Sequence, residues 1–136
     1  MVALTDARVT LRRDAETFSR GVAATKKIFE GSLVCLSATG FATPGAVATT
    51  LKADGVALTT VDNTSGADGA VSVEVRKGTF RFANSAAGDA ITRAEIGTTC
   101  YVVDDQTVAK TNGTNTRSAA GTVVDVDAQG VWVKIA

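Results

Sequence analysis

The sequence predicts an all-β fold: a small β-sandwich, barrel or jelly-roll-like domain. Three observations carry this reading. From Gly31 onward the chain is rich in Val, Thr, Ala and Gly, and branching at Cβ crowds a helix but suits a pleated strand. Thirteen glycines stand against one proline, which suggests many turns between short strands. Period-two alternation recurs, whereas no long amphipathic helix can be written anywhere.

The elements follow in chain order. Residues 1–21 alternate charged and apolar residues over short distances and read as an N-terminal arm, with 22–136 as the β-rich domain. Within the arm, Asp14–Phe18 fits one helical turn, and Val9 and Leu11 could enter a sheet as an edge strand, including that of a neighbouring subunit. Leu33–Leu36 and Val56–Val61 are short apolar strands. Val71, Val73 and Val75 alternate with Ser72, Glu74 and Arg76, the signature of a half-buried strand. Lys77-Gly78 separates it from Phe80 and Phe82, which flank Arg81. Thr92-Arg93-Ala94-Glu95 fits a capping box, stopped at Gly97, so the helix there is one or two turns. Tyr101–Val103 is a strand, followed by the turn Asp104-Asp105-Gln106. Asn112-Gly113 opens a polar loop. Val123–Val126 and the alternating Val131, Val133 and Ile135 are the last strands, joined as a hairpin by Ala128-Gln129-Gly130. The total is roughly eight strands.

Length and composition bound the function. A chain of 136 residues is one domain, or one domain with an arm. Lys and Arg total 14 and Asp and Glu total 14, so there is no general attraction to nucleic acid or anionic membrane. Histidine is absent, which removes the Ser-His-Asp triad, the Cys-His pair and His-ligated zinc. Met1 is followed closely by Asp6, Arg8, Arg12 and Arg13, which is not a secretory signal. No apolar run approaches the roughly 20 residues of a membrane helix. Cys35 and Cys100 lie in apolar contexts and read as reduced, buried hydrophobes; a disulfide or a reactive thiol is the alternative.

The remaining candidates for chemistry are few. Asp104-Asp105 could act as acid and base, but adjacent residues in a turn fit a solvated turn better. The loop from Asp62 to Gly69 is rich in oxygen, yet it lacks the spacing and the closing bidentate Glu of a calcium loop. No phosphate-binding glycine pattern is present. No catalytic, cofactor-binding or metal-binding residue is therefore assigned. Candidate partner-binding residues are Arg8, Arg12, Arg13 and Arg20, interleaved with acids in a manner suited to a protein contact, and Trp132. Trp132 alternates with Val131 and Val133, so it faces out or faces a subunit, unless both faces of its strand are buried.

From Val22 onward the chain resembles the small capsid cement, or head decoration, proteins of tailed bacteriophages and prophages. The pieces that carry the resemblance are Lys27-Ile28-Phe29-Glu30-Gly31-Ser32-Leu33-Val34, Thr39-Gly40-Phe41-Ala42, Val61-Asp62-Asn63 and Gly66-Ala67-Asp68-Gly69. They continue with the run from Val73 to Asn84, Ile91-Thr92-Arg93-Ala94-Glu95-Ile96-Gly97, Tyr101-Val102-Val103-Asp104-Asp105 and Gly130-Val131-Trp132-Val133. Residues 1–21 lie outside it. The resemblance implies a protein without an active site or cofactor, made in the bacterial host cytoplasm. It implies binding to the major capsid protein on the outer surface of the assembled head, as dimers or trimers, with no nucleic-acid or membrane partner. The same composition would suit a carbohydrate-binding β-sandwich, although sugar platforms usually need several exposed aromatics and the chain has five Phe, one Tyr and one Trp in all.

Overall fold

The computed structural model describes residues 2–13 and 16–136. It contains twelve short strands and two 3-10 turns, and it is all-β. The strands are β1 (Thr17–Gly21), β2 (Lys26–Ile28), β3 (Leu33–Leu36), β4 (Ala42–Pro44), β5 (Lys52–Ala57), β6 (Val61–Asn63), β7 (Ser72–Arg76), β8 (Gly78–Asn84), β9 (Thr99–Val102), β10 (Thr107–Ala109), β11 (Ala119–Asp127) and β12 (Gly130–Ile135).

Two bodies of sheet share one chain. The N-terminal half forms a five-stranded antiparallel sheet in the order β1-β7-β5-β3-β4. Just after β1, a bridge from Val22 to Ala42 rolls this sheet toward its other edge, and Ala23 N donates to Ala42 O at 2.8 Å. β2 and β6 form a separate ribbon. The C-terminal half is a closed barrel in the order β10-β8-β12-β11-β9, antiparallel except where β10 meets β8.

Alternation sets the inner faces. On β12, Val131, Val133 and Ile135 are buried while Lys134 is exposed, and on β7 Val73 and Val75 are buried between exposed neighbours. β3 differs because it has no solvent side. Leu33 and Cys35 belong to the barrel core with Phe82, Val102, Val108, Val123, Val131 and Val133. Val34 belongs to the second core with Val22, Ile28, Ala42, Val73 and Val75. A continuous apolar run is what a strand buried on both faces requires.

Opposite β3, β5 carries a bulge. Val34 pairs with Gly55 and Cys35 with Ala53, leaving Asp54 as the extra residue. Gly55 has φ +154°, and a Cβ there would strike the Arg76 carbonyl oxygen, so only glycine fits. Asp54 is 2% exposed. Arg20 on β1 grips it with both Nε and Nη2, at 2.7 and 2.9 Å. Lys77, where the chain crosses from β7 to β8, donates to its Oδ1 at 2.9 Å and to its carbonyl oxygen at 3.1 Å. Burial pushes the Asp54 carboxyl up, but the hydrogen bonds from Arg20 and Lys77 outweigh it and hold the group below the usual carboxylate range.

Several sequence expectations change. The arm ends earlier than residue 21, because Thr17–Gly21 is β1, paired with β7 from Thr17–Arg76 to Gly21–Ser72. The helical turn expected at Asp14–Phe18 is not formed at its described end, where Phe18 lies in a strand; Asp14 and Ala15, like Met1, are outside the described residues. Val9 and Leu11 join no strand in the single chain and are 88% and 90% exposed. Val56–Val61 is not one strand, since β5 ends at Ala57 and β6 begins at Val61. The capping box is formed: Thr92 accepts from Ala94 N and its own N–H donates to Glu95 Oε1 at 2.9 Å, around the 3-10 turn Arg93–Glu95. The two-residue hairpin Ala128-Gln129 is formed as well, and Asp127 Oδ1 accepts from Gln129 N and Gly130 N at 2.8 and 3.0 Å.

Two predictions follow from this arrangement. Asp54→Asn leaves two cations facing a neutral group. Loss of one partner from a buried pair costs about 3–5 kcal/mol when the rest stays dry; Arg20 and Lys77 keep some access to water, so the expected loss is about 2–3 kcal/mol, or roughly 10 °C in Tm. Because the Asp54 pKa is lowered in the folded state, its contribution is complete above the unfolded value of about 4 and disappears as pH falls through the folded one. Urea titrations from neutral to acidic pH should therefore show a shallower acid decline in the Asp54→Asn protein than in the wild type. The second prediction concerns the arm. Removing residues 1–13 should move Tm by no more than about 2 °C, whereas removing residues 1–21 deletes β1 and Arg20 and should abolish cooperative thermal unfolding.

Candidate functional site

The arm is attached to the body through Phe18. The Arg13 guanidinium lies over this ring at 4.6 Å from its centroid, Arg20 at 4.7 Å and the Lys77 ammonium at 5.8 Å. A ring face attracts cations, so the last described residue of the arm packs onto the first strand of the sheet. Glu16 adds an exposed ion pair with Arg76 at 3.5 Å, and its carbonyl oxygen accepts from Lys77 N at 2.7 Å.

The candidate arginines therefore divide. Arg20 is committed to Asp54 and is a structural residue. Arg13 is held at the base of the arm. Arg8 and Arg12 lie on its exposed length, among Val2, Leu4, Val9 and Leu11, which are 69–90% exposed.

Trp132 stands elsewhere, on the outer wall of the barrel. Its neighbours Val131 and Val133 fill the barrel core, so only the indole side of β12 faces outward. The indole is half-buried. Its Nε1 donates to Asp127 Oδ2 at 3.0 Å, and Arg81 on the adjacent strand sits 5.8 Å from the ring centroid. The Trp132 hydrogen bond is the largest influence holding the Asp127 carboxyl below its ordinary range. No contact joins Trp132 to Arg8, Arg12 or Arg13 among the described residues.

The polar groups singled out in the sequence are engaged in turns. Asp104 Oδ1 accepts from Gln106 N at 2.9 Å. Asp62 Oδ1 accepts from the backbone and hydroxyl of Thr64 at 2.9 and 2.7 Å. Asp68 caps Ala24 N at 2.7 Å. Buried Asn63 donates to the carbonyl oxygens of Val22, Ala23 and Ala67. Among the described residues no group of three or more His, Cys, Asp or Glu is placed to hold a metal ion, and no helix is long and apolar enough to cross a membrane.

Two features escaped sequence reasoning. One is the Asp54–Arg20–Lys77 network. Its signal is present in Ala53-Asp54-Gly55-Val56-Ala57, where one acid interrupts a small apolar strand and is followed by glycine. The other is a depression of about 350 Å³ at the turn after β2, lined by Phe29, Glu30, Gly31, Ser32, Asp105 and Gln106. It joins segments far apart in sequence, so no local pattern announces it. A second depression lies where Glu16 and Lys77 meet Gly78, Ile135 and Ala136.

No family model matches the chain, and neither curated proteins nor solved structures provide a match.

Both cysteines are free and buried. Burial pushes the Cys35 thiol up to about 12 and Cys100 up to about 11, so neither is a nucleophile at neutral pH. Native protein at pH 8 should resist alkylation for as long as it stays folded, and denatured, non-reduced protein should titrate two thiols. An intact mass lower by two hydrogens would contradict this.

Proposed function

We propose that this protein is a non-enzymatic capsid decoration protein that binds the outer surface of an assembled phage head and stabilises it. Its partners are the major capsid protein and further copies of itself, and it works on the virion surface. The observation that carries the reading is the contrast between the exposed arm and the tightly bonded body. Val2, Leu4, Val9 and Leu11 are exposed beside Arg8 and Arg12 on a segment whose last described residue, Arg13, lies over the Phe18 ring, while beyond it a five-stranded sheet and a closed barrel each enclose a packed core. Such a layout suits a protein that contacts a repeating lattice at two linked places. The second contact of a linked pair forms at high effective concentration, so two modest interfaces hold far better than either alone. The resemblance of residues 22–136 to cement proteins supports the same reading.

The test is co-sedimentation of the purified chain with expanded capsids of its phage. Full-length protein should saturate the capsid surface. Protein lacking residues 1–13 should need at least about tenfold more to reach the same occupancy. Decorated capsids should survive higher temperature and stronger osmotic shock than bare ones. Equal robustness of bare and decorated capsids would remove the stabilising role. A chain that ignores capsids but gains thermal stability with a glycan would establish the carbohydrate-binding alternative.

A further inference from the structure

The depression after β2 has the chemistry of a cation-binding opening. Phe29 to Ser32 form one wall and Asp105 with Gln106 the other. Leu33 N donates to Asp105 O at 2.7 Å and joins the walls, and Ser32 N donates to Phe29 O at 3.1 Å to close the turn of the first wall. Neither Glu30 nor Asp105 takes part in an ion pair among the described residues. Ser32 is 7% exposed, and its hydroxyl is buried without a hydrogen-bond partner. A group in that state is unfavourable and signals a missing partner. Phe29 is 53% exposed, and Lys27 already sits 5.0 Å from its ring centroid, so the ring face accepts cations. A Cβ added to Gly31 would meet nothing within 4 Å, which leaves the opening unobstructed.

Two carboxylates, an aromatic face and a hydroxyl acceptor together match a guanidinium, which is planar and carries five donors. The chain carries such groups on a segment that has no seat of its own. Arg8-Val9-Thr10-Leu11-Arg12 alternates basic or polar with apolar side chains. Residues 1–13 hold three arginines against one aspartate, so in a chain of zero net charge the remainder is net negative. Among the described residues of the arm, Val9 and Leu11 are 88% and 90% exposed in the single chain.

We infer that the opening at Phe29–Ser32 and Asp105 receives Arg8 or Arg12 from the arm of a second copy of this chain, with Val9 or Leu11 covering Phe29. The contact is heterologous: an arm of one copy meets the body of another. It closes either as a reciprocal exchange between two copies or as a ring. This deepens the proposed function by naming its copy-to-copy contact, and because the test below contains no capsids, its failure is separate from failure of capsid binding.

The experiment is sedimentation velocity on the full-length chain over a concentration series. Two variants are compared with the wild type: Glu30→Gln with Asp105→Asn, which keeps the arm, and Arg8→Ser with Arg12→Ser, which keeps the opening. Matched thermal melts verify that each variant is folded. Wild type should associate reversibly, less so with added salt. Each variant alone should associate at least about tenfold more weakly. An equal mixture of the two should form a complex that neither forms alone, because each supplies what the other lacks. A wild type that stays monomeric throughout, a Glu30→Gln/Asp105→Asn protein that associates as the wild type does, or a mixture that forms no complex would each overturn the inference.

Discussion

β3 has no face of its own to give to water. Leu33 and Cys35 fill the barrel core and Val34 fills the core of the first sheet, so one short strand is the common wall of both halves. The two cores cannot then form independently, because packing one side of β3 positions the other. The bulge at Asp54 belongs to the same constraint. An extra residue in β5 lets the first sheet curve around β3, at the cost of burying a carboxylate. Arg20 and Lys77 offset that burden and, in doing so, tie β1 and the crossing from β7 to β8 to the centre of the molecule. A single buried charge thereby links the first strand, the middle of the sheet and the passage into the barrel.

Much of this architecture could be read from local pattern. Where one face is buried and one is wet, as on β7 and β12, alternation reveals both the strand and its inward side. Turn chemistry revealed the hairpin before Gly130 and the capped turn at Thr92. Strands of three residues, such as β2, β4 and β10, are too short to show a period, and the described residues include four of that length. β1 reads as arm because residues 1–21 alternate charged and apolar side chains over short distances. Its place in the sheet comes from pairing with β7 and from the Arg20–Asp54 contact, both of which are long-range. The barrel's closure through the parallel pairing of β10 with β8 is likewise invisible to any window of sequence.

The candidate residues show the same division. Sequence alternation leaves Trp132 facing out, facing a subunit or on a strand buried on both faces, and the structure places it half-buried on the outer wall of the barrel. Arg20 was grouped with the other arm arginines because composition does not distinguish a solvated guanidinium from one that neutralises a buried acid. The arm arginines Arg8 and Arg12 belong to a segment whose described valines and leucines are exposed in the single chain.

Barrel closure has a further consequence for how the sheets of this protein meet other chains. Sheets aggregate through unpaired edges, where exposed N–H and C=O groups accept a foreign strand. In the C-terminal half every strand has a neighbour on each side, so that half exposes less edge to sheet extension than an open sheet would. The edges that remain are in the N-terminal half. β4 ends in Pro44, the only proline of the chain, which lacks an N–H to donate. β1 is flanked at its entrance by Arg13 and Glu16, and charge at an edge discourages indiscriminate pairing. The exposed ends of the first sheet are thus guarded against indiscriminate strand capture by a proline at one edge and by charge at the other.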